Sequence, residues 1–559
     1  MNTRTALHAT PIQTRPLIVF ILLGVLLNLA GITVKFFTDD PALYSLLARN
    51  MAHTNNFADL IYHGRDWLDK PHFPFWVAAL SFKLFGVNTV AYKLPALIFF
   101  LMSVVYTYLL TRKFYGFETA LISVLILLTS QHVIMSNTDV RAEPYIMGLL
   151  MGSVYHFYKV KLRFTWGDIL LASLFAGCAV MTKGIYLLIP IGFAIIGDYL
   201  FKKNFKGLFH WKWLLAVLLT AVFILPEIYT LYTQFDLHPE KEVFGRTGMS
   251  GIHWFLWESQ FGRFNNNSYI RNSHGSIFFF LHTLLWAFLP WAIVFFYALF
   301  KNIRNLLKGV GQPEYVALCA SVPMLIIFSI SKFQLPFYTN ILFPFFAMIL
   351  AVFLRRLTVG AELKFFNISQ YIICGLLLIV LIALNILFAP QKLWIFIVIV
   401  MLLVLLTGYI YKNRGAAFQP VFLLSCCVVI CVNIYVISVV YPLLVSYKGD
   451  VSAADFMNKN YPGKPLVSSV TSNRLDFYMK QPVKYIDAND AKKQAGQIIF
   501  TERQVLDQLK SEGVLFNVLK TFDNYGRENL TMPFINSFKR NTALNQYYLI
   551  TLNNQAVNR

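Results

Sequence analysis

The chain has 559 residues, of which 57% are hydrophobic and 16% aromatic, and its mean hydropathy is +0.57. Charged residues make up 13% of the sequence, about half the share that is usual in soluble domains, which excludes a soluble globular protein. The net charge of +21 does not indicate nucleic-acid binding. The basic residues lie in short loops between apolar segments, where they are a topology signal.

Long apolar segments predict a polytopic α-helical membrane protein, because runs of about 18 apolar residues or more recur from Leu17 to Val445. Alternate short loops carry basic pairs such as Arg112 and Lys113, which predicts a cytoplasmic N-terminus and, after an odd number of spans, a C-terminus outside. The first apolar run is expected to be a retained anchor. We expect about thirteen transmembrane helices, near residues 16–34, 90–111, 117–136, 143–158, 168–182, 184–200, 213–230, 277–299, 315–331, 336–353, 369–388, 393–411 and 419–445.

Two domains are expected: a transmembrane domain over residues 1–448, with outer loops at about 35–88 and 231–276, and an extracytoplasmic domain over 449–559. In the first loop, "YSLLARNMAHTNNF" and "FPFWVAALSFKLFG" have short apolar stretches with polar flanks, which predicts helices lying in the membrane interface. The cysteines lie in apolar runs without metal-site spacing, so we interpret them as packing residues: Cys178, Cys319, Cys374, Cys426, Cys427 and Cys431.

The tail after residue 449 has the alternating pattern of a small α/β domain. The stretches "PLVSSV", "PVKYID", "FNVLKTF" and "YYLITL" predict strands, and "TERQVLDQLKSEG" predicts a helix with Thr501 as its N-cap. No catalytic motif occurs in the tail, so we expect a lid, docking or stabilising module.

Charged residues concentrate at the expected outer ends of the spans, although such groups are costly beside a membrane and usually face a cavity or one another. Singly, each has an ordinary explanation: an acid can cap a helix, a lysine can extend to the interface, and acids and bases can form a structural ion-pair cluster. Together they predict one outer cavity lined by both signs of charge: Asp39, Asp40, Asp69, Lys70, Asp139, Arg141, Glu143, Lys183, Glu258, Arg263, His274, Lys332 and the neighbouring Tyr338.

Both signs of charge suit group transfer from a phosphate ester at a membrane surface. Lysine and arginine attract phosphate oxygens and stabilise a leaving phosphate. Carboxylates can take a proton from an attacking hydroxyl or hold a divalent metal. A polyprenyl phosphate sugar fits this cavity, because its apolar tail would stay in lipid while its head reaches the charged groups.

The motifs also form an ordered set: the acidic pair after the first span, "DKP", the "TD" of the second outer turn, "TKG", the loop "W-E…RF…H" and "KFQLPFY…FP". In this order, over residues 16–355, they resemble the GT-C class of membrane glycosyltransferases. More narrowly, they resemble the protein O-mannosyltransferase and lipid A aminoarabinose transferase superfamily. The resemblance implies inverting transfer from an undecaprenyl or other polyprenyl phosphate sugar to a lipid A, glycan or protein acceptor.

The resemblance implies that Asp40 or Asp39 is the catalytic base, and Asp139 and Glu143 are further candidates for sharing that role. It implies a phosphate contact for Lys70 and site roles for Lys183, Arg263 and Tyr338, and Arg141 and His274 are further candidates for binding the phosphate or the donor. No cofactor is certain; if a divalent cation is used, Asp69 and Glu258 are the candidate ligands.

The chain departs from the aminoarabinose transferases at two positions. Leu43 precedes Tyr44 where they have an Arg-Tyr pair, and Ser259 stands where they have histidine after the loop glutamate. The sugar, the acceptor and any metal are therefore not carried over from the resemblance.

The expected location is a bacterial inner membrane with the site and the C-terminal domain in the periplasm, or a eukaryotic endoplasmic reticulum membrane with a lumenal site. The alternative function is a transporter or flippase of lipid-linked sugars. Transporters usually have internal repeats and polar groups near the bilayer midplane. Here no repeated half is present and the polar groups gather at one end, which favours the transferase.

Overall fold

The computed structural model describes residues 11–266, 269, 275–390 and 392–553. The helices before residue 270 are α1 (Thr14–Ala30), α2 (Asp39–Thr54), α3 (Phe73–Phe85), α4 (Thr89–Tyr115), α5 (Phe117–Leu128), α6 (Gln131–Thr138), α7 (Glu143–Leu162), α8 (Trp166–Lys183), α9 (Leu188–Phe201), α10 (Phe205–Leu208), α11 (Trp211–Leu231), α12 (Gly251–His253) and α13 (Arg263–Asn265).

The later helices are α14 (Phe279–Ala287), α15 (Ala292–Leu307), α16 (Val316–Ile330), α17 (Phe343–Arg355), α18 (Ala361–Phe388), α19 (Leu393–Lys412), α20 (Gln419–Tyr435), α21 (Tyr441–Ser446), α22 (Gly449–Asn460), α23 (Asn473–Tyr478), α24 (Arg503–Ser511) and α25 (Met532–Ile535). The strands are β1 (Ile61–Tyr62), β2 (Arg65–Asp66), β3 (Leu466–Ser468), β4 (Val483–Tyr485), β5 (Ile498–Glu502), β6 (Phe516–Asn524) and β7 (Asn545–Leu552).

The chain forms two compact units. The first comprises Met1–Ile32, Ala48–Ile379 and Val398–Ile434, and the second comprises Thr33–Leu47, Val380–Ile397 and Tyr435–Arg559. The acidic segment around residues 39 and 40 therefore belongs to the same unit as the C-terminal domain.

Among the described residues, eight helical segments are long and apolar enough to cross a membrane, and a ninth arises if the bent pair α5 and α6 is one span. All thirteen predicted segments contain helix, but those near 184–200 and 315–331 form shorter apolar helices of 10–17 residues. At 1.5 Å per residue, a helix of that length falls short of the roughly 30 Å hydrocarbon core. The number of thirteen crossings therefore stays a prediction.

The centre of the first unit is made of helices that are apolar on every side. Residues 119–128 of α5 are all buried, and α7 is buried along most of its length, as expected for helices enclosed by others. Small residues allow the close approach: a Cβ on Gly148 would lie 2.1 Å from the carbonyl oxygen of Phe99 in α4.

Lys93 in α4 is fully buried and holds the ends of two other helices. Its ammonium donates to the carbonyl of Gly31, which ends α1, at 2.9 Å, and to the carbonyl of Thr138, the last residue of α6, at 2.5 Å. Carbonyls at helix C-termini lack intrahelical partners and attract cations. Lys93 therefore fixes the end of α6, directly before Asp139.

The second unit contains a five-stranded sheet in the order β4-β3-β5-β7-β6, in which β3 is parallel to β4 and β5, and β7 is antiparallel to β5 and β6. One face packs against α22 and α23, and the other against α24. The four stretches predicted as strands are strands. The central strand β5 was not predicted, because "QIIFTE" is a short apolar run that has no alternation.

The expected N-cap at Thr501 is wrong. Thr501 lies in β5, where its buried hydroxyl pairs with the hydroxyl of Ser469 at 2.7 Å. The helix begins two residues later, after Glu502, which makes no side-chain capping bond. Strand pairing with β7 continues through Glu502 and so moves the helix start downstream.

Candidate active site

A tight hairpin positions the segment "DWLDKP" in the first unit. Strands β1 and β2 pair antiparallel across His63 and Gly64, whose φ angles of 50° and 75° suit a two-residue turn. Asp66 then accepts from Gln234 at 2.9 Å and from Lys241 at 3.0 Å. These contacts hold Asp66 at the start of the segment. Asp69 and Lys70 follow it directly along the chain and are positioned by it.

Asp69 lies between two cations. Lys70 donates to one carboxylate oxygen of Asp69, and Arg263, 194 residues later, donates to the other. The three side chains are only 14–20% exposed, so screening by water is weak. Burial alone would raise the pKa of Asp69, but the charges of Lys70 and Arg263 and their hydrogen bonds outweigh it, and the pKa lies below its ordinary value.

These residues line a cleft in the first unit. Its polar and charged lining comes from distant parts of the sequence: Asp69, Lys70, Lys183, Glu227, Ser259, Gln260 and Arg263. Three of these seven side chains are cations and two are carboxylates, so the cations outnumber the acids, which suits an anionic ligand. The structure thus brings Lys70, Lys183 and Arg263 to one cleft, and their contact with a phosphate stays a prediction.

Lys183, the last residue of α8, forms a second ion pair. Its ammonium donates to Glu143 at 2.5 Å and lies over the rings of Phe337 and Tyr338, at 5.0 and 4.5 Å from their centroids. Arg141 also lies over the Phe337 ring, 4.9 Å from its centroid. Aromatic faces attract cations, so these rings help to hold Lys183 and Arg141, two of the cations that the sequence predicts to bind the donor.

Gly184 is the tight turn that carries Lys183. Its φ of +121° and ψ of 173° lie in a region that only glycine adopts readily, and a Cβ there would lie 2.2 Å from the Gln260 side-chain nitrogen. We expect Gly184→Ala to destabilise the protein by about 1–3 kcal/mol, measured by thermal unfolding in detergent. Gly192→Ala is the control, because its Cβ meets nothing within 4 Å; equal melting temperatures for both variants would contradict the prediction.

His72 and Glu227 form a fully buried pair beside the cleft. The His72 backbone N–H donates to Glu227 at 3.0 Å, and its ring Nδ1 lies 2.9 Å from the same carboxylate. The other ring nitrogen contacts the carbonyl of Ala58 at 3.0 Å, which can only accept.

Neither His72 nor Glu227 is among the sequence-predicted site residues, although the signal exists. Glu227 is the only charged residue in the apolar segment 213–230, and a lone acid inside a span usually has a specific partner. The pair ties the segment that follows Lys70 to α11, so it supports the wall of the cleft that Glu227 lines.

We expect Glu227→Ala to destabilise the protein by about 3–5 kcal/mol, because removing one partner leaves an uncompensated buried group. The measurement is thermal unfolding of the purified protein in detergent. Glu240→Ala is the matched control: Glu240 also pairs with a histidine, His238, at 2.9 Å, but the side chains are 69% and 49% exposed, and exposed ion pairs contribute little to stability. A Glu227→Ala variant as stable as the control would show that the pair is not needed.

The predicted acidic residues fall into both units. Asp139 ends α6 in the first unit, its N–H donating to Met135 at 3.0 Å. Asp39 and Asp40 are the first residues of α2 in the second unit. There the carboxylate of Asp39 accepts from Asn473 at 2.7 Å and lies 3.8 Å from Arg474.

The residues proposed for a metal do not assemble into a metal site. Within the described ranges, no group of three or more histidine, cysteine, aspartate or glutamate residues could hold an ion. Asp69 is held by two cations, and Glu258 lies 3.3 Å from His253. A divalent ion would have to displace Lys70 and Arg263, so no step is assigned to one. His274 lies outside the described residues.

Known proteins resemble this chain in sequence and in fold. A family model described as dolichyl-phosphate-mannose-protein mannosyltransferase matches residues 69–229, starting at the acid of the cleft. An uncharacterized protein of Aquifex aeolicus is 27% identical over 62% of this chain and 65% of its own length. The undecaprenyl phosphate-alpha-4-amino-4-deoxy-L-arabinose arabinosyl transferase of Edwardsiella ictaluri is 26% identical over 57% of this chain and 55% of its own length.

The chain thus spans less than two thirds of the length of these curated relatives. Among solved structures, the crystal structure of ArnT from Cupriavidus metallidurans bound to undecaprenyl phosphate matches with a TM-score of 0.72 at 16% identity, covering 98% of this chain and 100% of that one. The chain has the ArnT fold. The apo structure of the same ArnT matches with a TM-score of 0.71.

The fold class predicted from the sequence, a polytopic α-helical membrane protein of GT-C type, is confirmed by the ArnT fold. The resemblance to the protein O-mannosyltransferase and lipid A aminoarabinose transferase superfamily is confirmed by the same comparisons. The apolar helices make the protein a multi-pass membrane protein.

Proposed function

We propose that the protein is a membrane glycosyltransferase that moves a sugar from a polyprenyl phosphate carrier to an acceptor hydroxyl. The observation that supports this most directly is the meeting of Lys70 and Arg263 on Asp69 in a cleft that Lys183 also lines. The related transferase of Edwardsiella ictaluri is named for an undecaprenyl phosphate sugar, and the ArnT with the same fold binds undecaprenyl phosphate.

The contacts of Asp69 support a phosphate site, because they place two cations side by side. Asp69 holds the two cations apart by binding one on each carboxylate oxygen, and phosphate oxygens can replace a carboxylate as acceptors for both. Arginine can contact two oxygens at once, and lysine acts as a mobile point charge. Asp69 therefore keeps Lys70 and Arg263 in place at the cleft.

The proposed reaction is a single displacement. Asp40 takes the proton from the acceptor hydroxyl, and the oxygen forms a bond to the anomeric carbon of the donor sugar. The bond between that carbon and the phosphate oxygen breaks, and its electron pair stays on the polyprenyl phosphate. Lys70, Arg263 and Lys183 stabilise this charge, and attack opposite to the leaving group inverts the anomeric centre.

The proposed setting is the bacterial inner membrane, with the cleft and the C-terminal domain on the periplasmic side. The acceptor class is lipid A, another glycan or a protein, each of which offers a hydroxyl. The lipid-linked donor would enter from the bilayer. Its apolar chain would stay among the lipids, so the protein needs no separate pocket for it.

A transfer assay tests the proposal. Purified full-length protein in nanodiscs is mixed with a labelled undecaprenyl phosphate sugar and lipid A, a glycan or a protein acceptor. The expected result is label on one acceptor together with released undecaprenyl phosphate in equal amount. Movement of the labelled lipid across proteoliposomes without any covalent transfer would overturn the proposal in favour of a transporter or flippase.

A further inference from the structure

The stretch that leads into α2 is held by the C-terminal domain within the second unit. Lys35 forms an ion pair with Asp455, and the Phe36 N–H donates to the Tyr478 hydroxyl at 2.9 Å. The Phe36 ring is fully buried and packs against the Tyr478 ring, with 5.7 Å between the centroids. The stretch thus belongs to the fold of a domain that begins some four hundred residues later.

Arg474 connects this stretch to the interior of the C-terminal domain. Two of its guanidinium nitrogens lie 2.9 and 3.0 Å from one oxygen of the buried Asp450. A third donates to the carbonyl of Phe37 at 3.4 Å and lies 3.8 Å from the carboxylate of Asp39. Because Asp450 fixes one edge of the planar guanidinium, the edge that faces Asp39 is fixed as well.

Asp39 is held from both sides. Its carboxylate accepts from the Asn473 side chain at 2.7 Å, and its backbone N–H donates to Glu528 at 2.7 Å. These contacts come from α23 and from the segment that follows β6. They define where α2 begins, and Asp40 is the next residue of the same helical turn. Displacing Asp39 would therefore displace Asp40.

We propose that Arg474 is a positioning residue of the transferase: it fixes Asp39 at the start of α2 and thereby holds Asp40 in place as the base. This inference rests on the proposed function. It assigns the C-terminal domain a role in positioning the base, and not the role of a lid. It also assigns the two acids different tasks. Donors occupy the carboxylate of Asp39 for structure, and Asp40 carries the chemistry.

The test compares Arg474→Lys and Asn473→Ala with the wild-type protein in the transfer assay. Asn473→Ala removes one contact to Asp39 without leaving the buried Asp450 uncompensated, so it stays informative if the arginine variants fold poorly. We expect kcat to fall by about 10- to 100-fold in Asn473→Ala, since small displacements of a reacting group cost this much. Arg474→Lys retains part of the rate, because it keeps the charge. KM for the donor stays within about twofold of the wild-type value, because neither residue is proposed to contribute to donor binding.

Arg503→Gln is the matched control, because Arg503 also lies in the C-terminal domain and pairs with the exposed Asp507. Hydrogen exchange of residues 33–47 provides a readout independent of activity: exchange rises in Asn473→Ala and not in Arg503→Gln. Wild-type rates in both Asn473→Ala and Arg474→Lys, or a loss that comes through KM, would overturn the inference. A wild-type protein that transfers no sugar would instead overturn the proposed function.

Discussion

Asp40→Asn is expected to lower kcat by about 10²- to 10⁴-fold, the usual contribution of a general base. The amide keeps the size of the side chain but cannot accept the acceptor's proton. KM for the donor should change little, because Asp40 is not proposed to contact the phosphate. The measurement is initial-rate transfer from a labelled undecaprenyl phosphate sugar at saturating acceptor.

Two variants calibrate this result. Asp39→Asn should lose roughly 10-fold or less, since an amide still accepts a hydrogen bond from Asn473 and only weakens the attraction to Arg474. Asp507→Asn changes an exposed acid that pairs with Arg503 and should leave the rate unchanged. A larger loss in Asp39→Asn than in Asp40→Asn would transfer the role of base to Asp39, and full turnover in the Asp39→Asn/Asp40→Asn double variant would end the assignment of either.

Lys70→Met and Arg263→Met are expected to lower kcat/KM by about 10²- to 10³-fold each, the usual effect of removing a donor that stabilises charge in the transition state. The two losses should not add in the double variant, because both cations share Asp69 and would share the same phosphate. Direct binding of undecaprenyl phosphate, measured with the purified variants, should weaken in parallel.

Lys301→Met is the control for this pair. Lys301 lies in the same unit and also pairs with an acid, Glu362, but it does not line the cleft. A loss of binding in Lys301→Met equal to that in Lys70→Met would show a general effect of lost positive charge rather than a phosphate site. Unchanged binding in Lys70→Met and in Arg263→Met would remove the main support for the proposed function.

Much of the fold follows from the sequence because the membrane imposes a simple rule. A helix in lipid must satisfy its own backbone and present apolar side chains, so the composition and period of the segments predict helices directly. The same rule makes charged residues at helix ends conspicuous. The meeting of Lys70 with Lys183 and Arg263 could therefore be expected from their topology and from the ordered motifs.

Other parts of the site could not be predicted, since they depend on pairing between distant segments. Nothing local to Asp69 indicates that it binds both Lys70 and Arg263. In the sequence, Lys93 is an ordinary lysine near the end of a span. Only the fold shows that it binds the carbonyls at the ends of α1 and α6. The presence of Glu227 in an apolar helix is explained only by its hydrogen bonds with His72, which lies in another segment. Such contacts have no periodic signature.

The distance along the chain between Asp39 and Asn473, 434 residues, has a consequence for biosynthesis. At 5–20 residues per second, a ribosome needs roughly 20–90 s to proceed from one to the other. During that interval the nascent polypeptide carries an acidic stretch whose final neighbours have not yet emerged. If the proposed positioning of Asp40 holds, a product released before the last hundred residues would insert into the membrane but transfer no sugar.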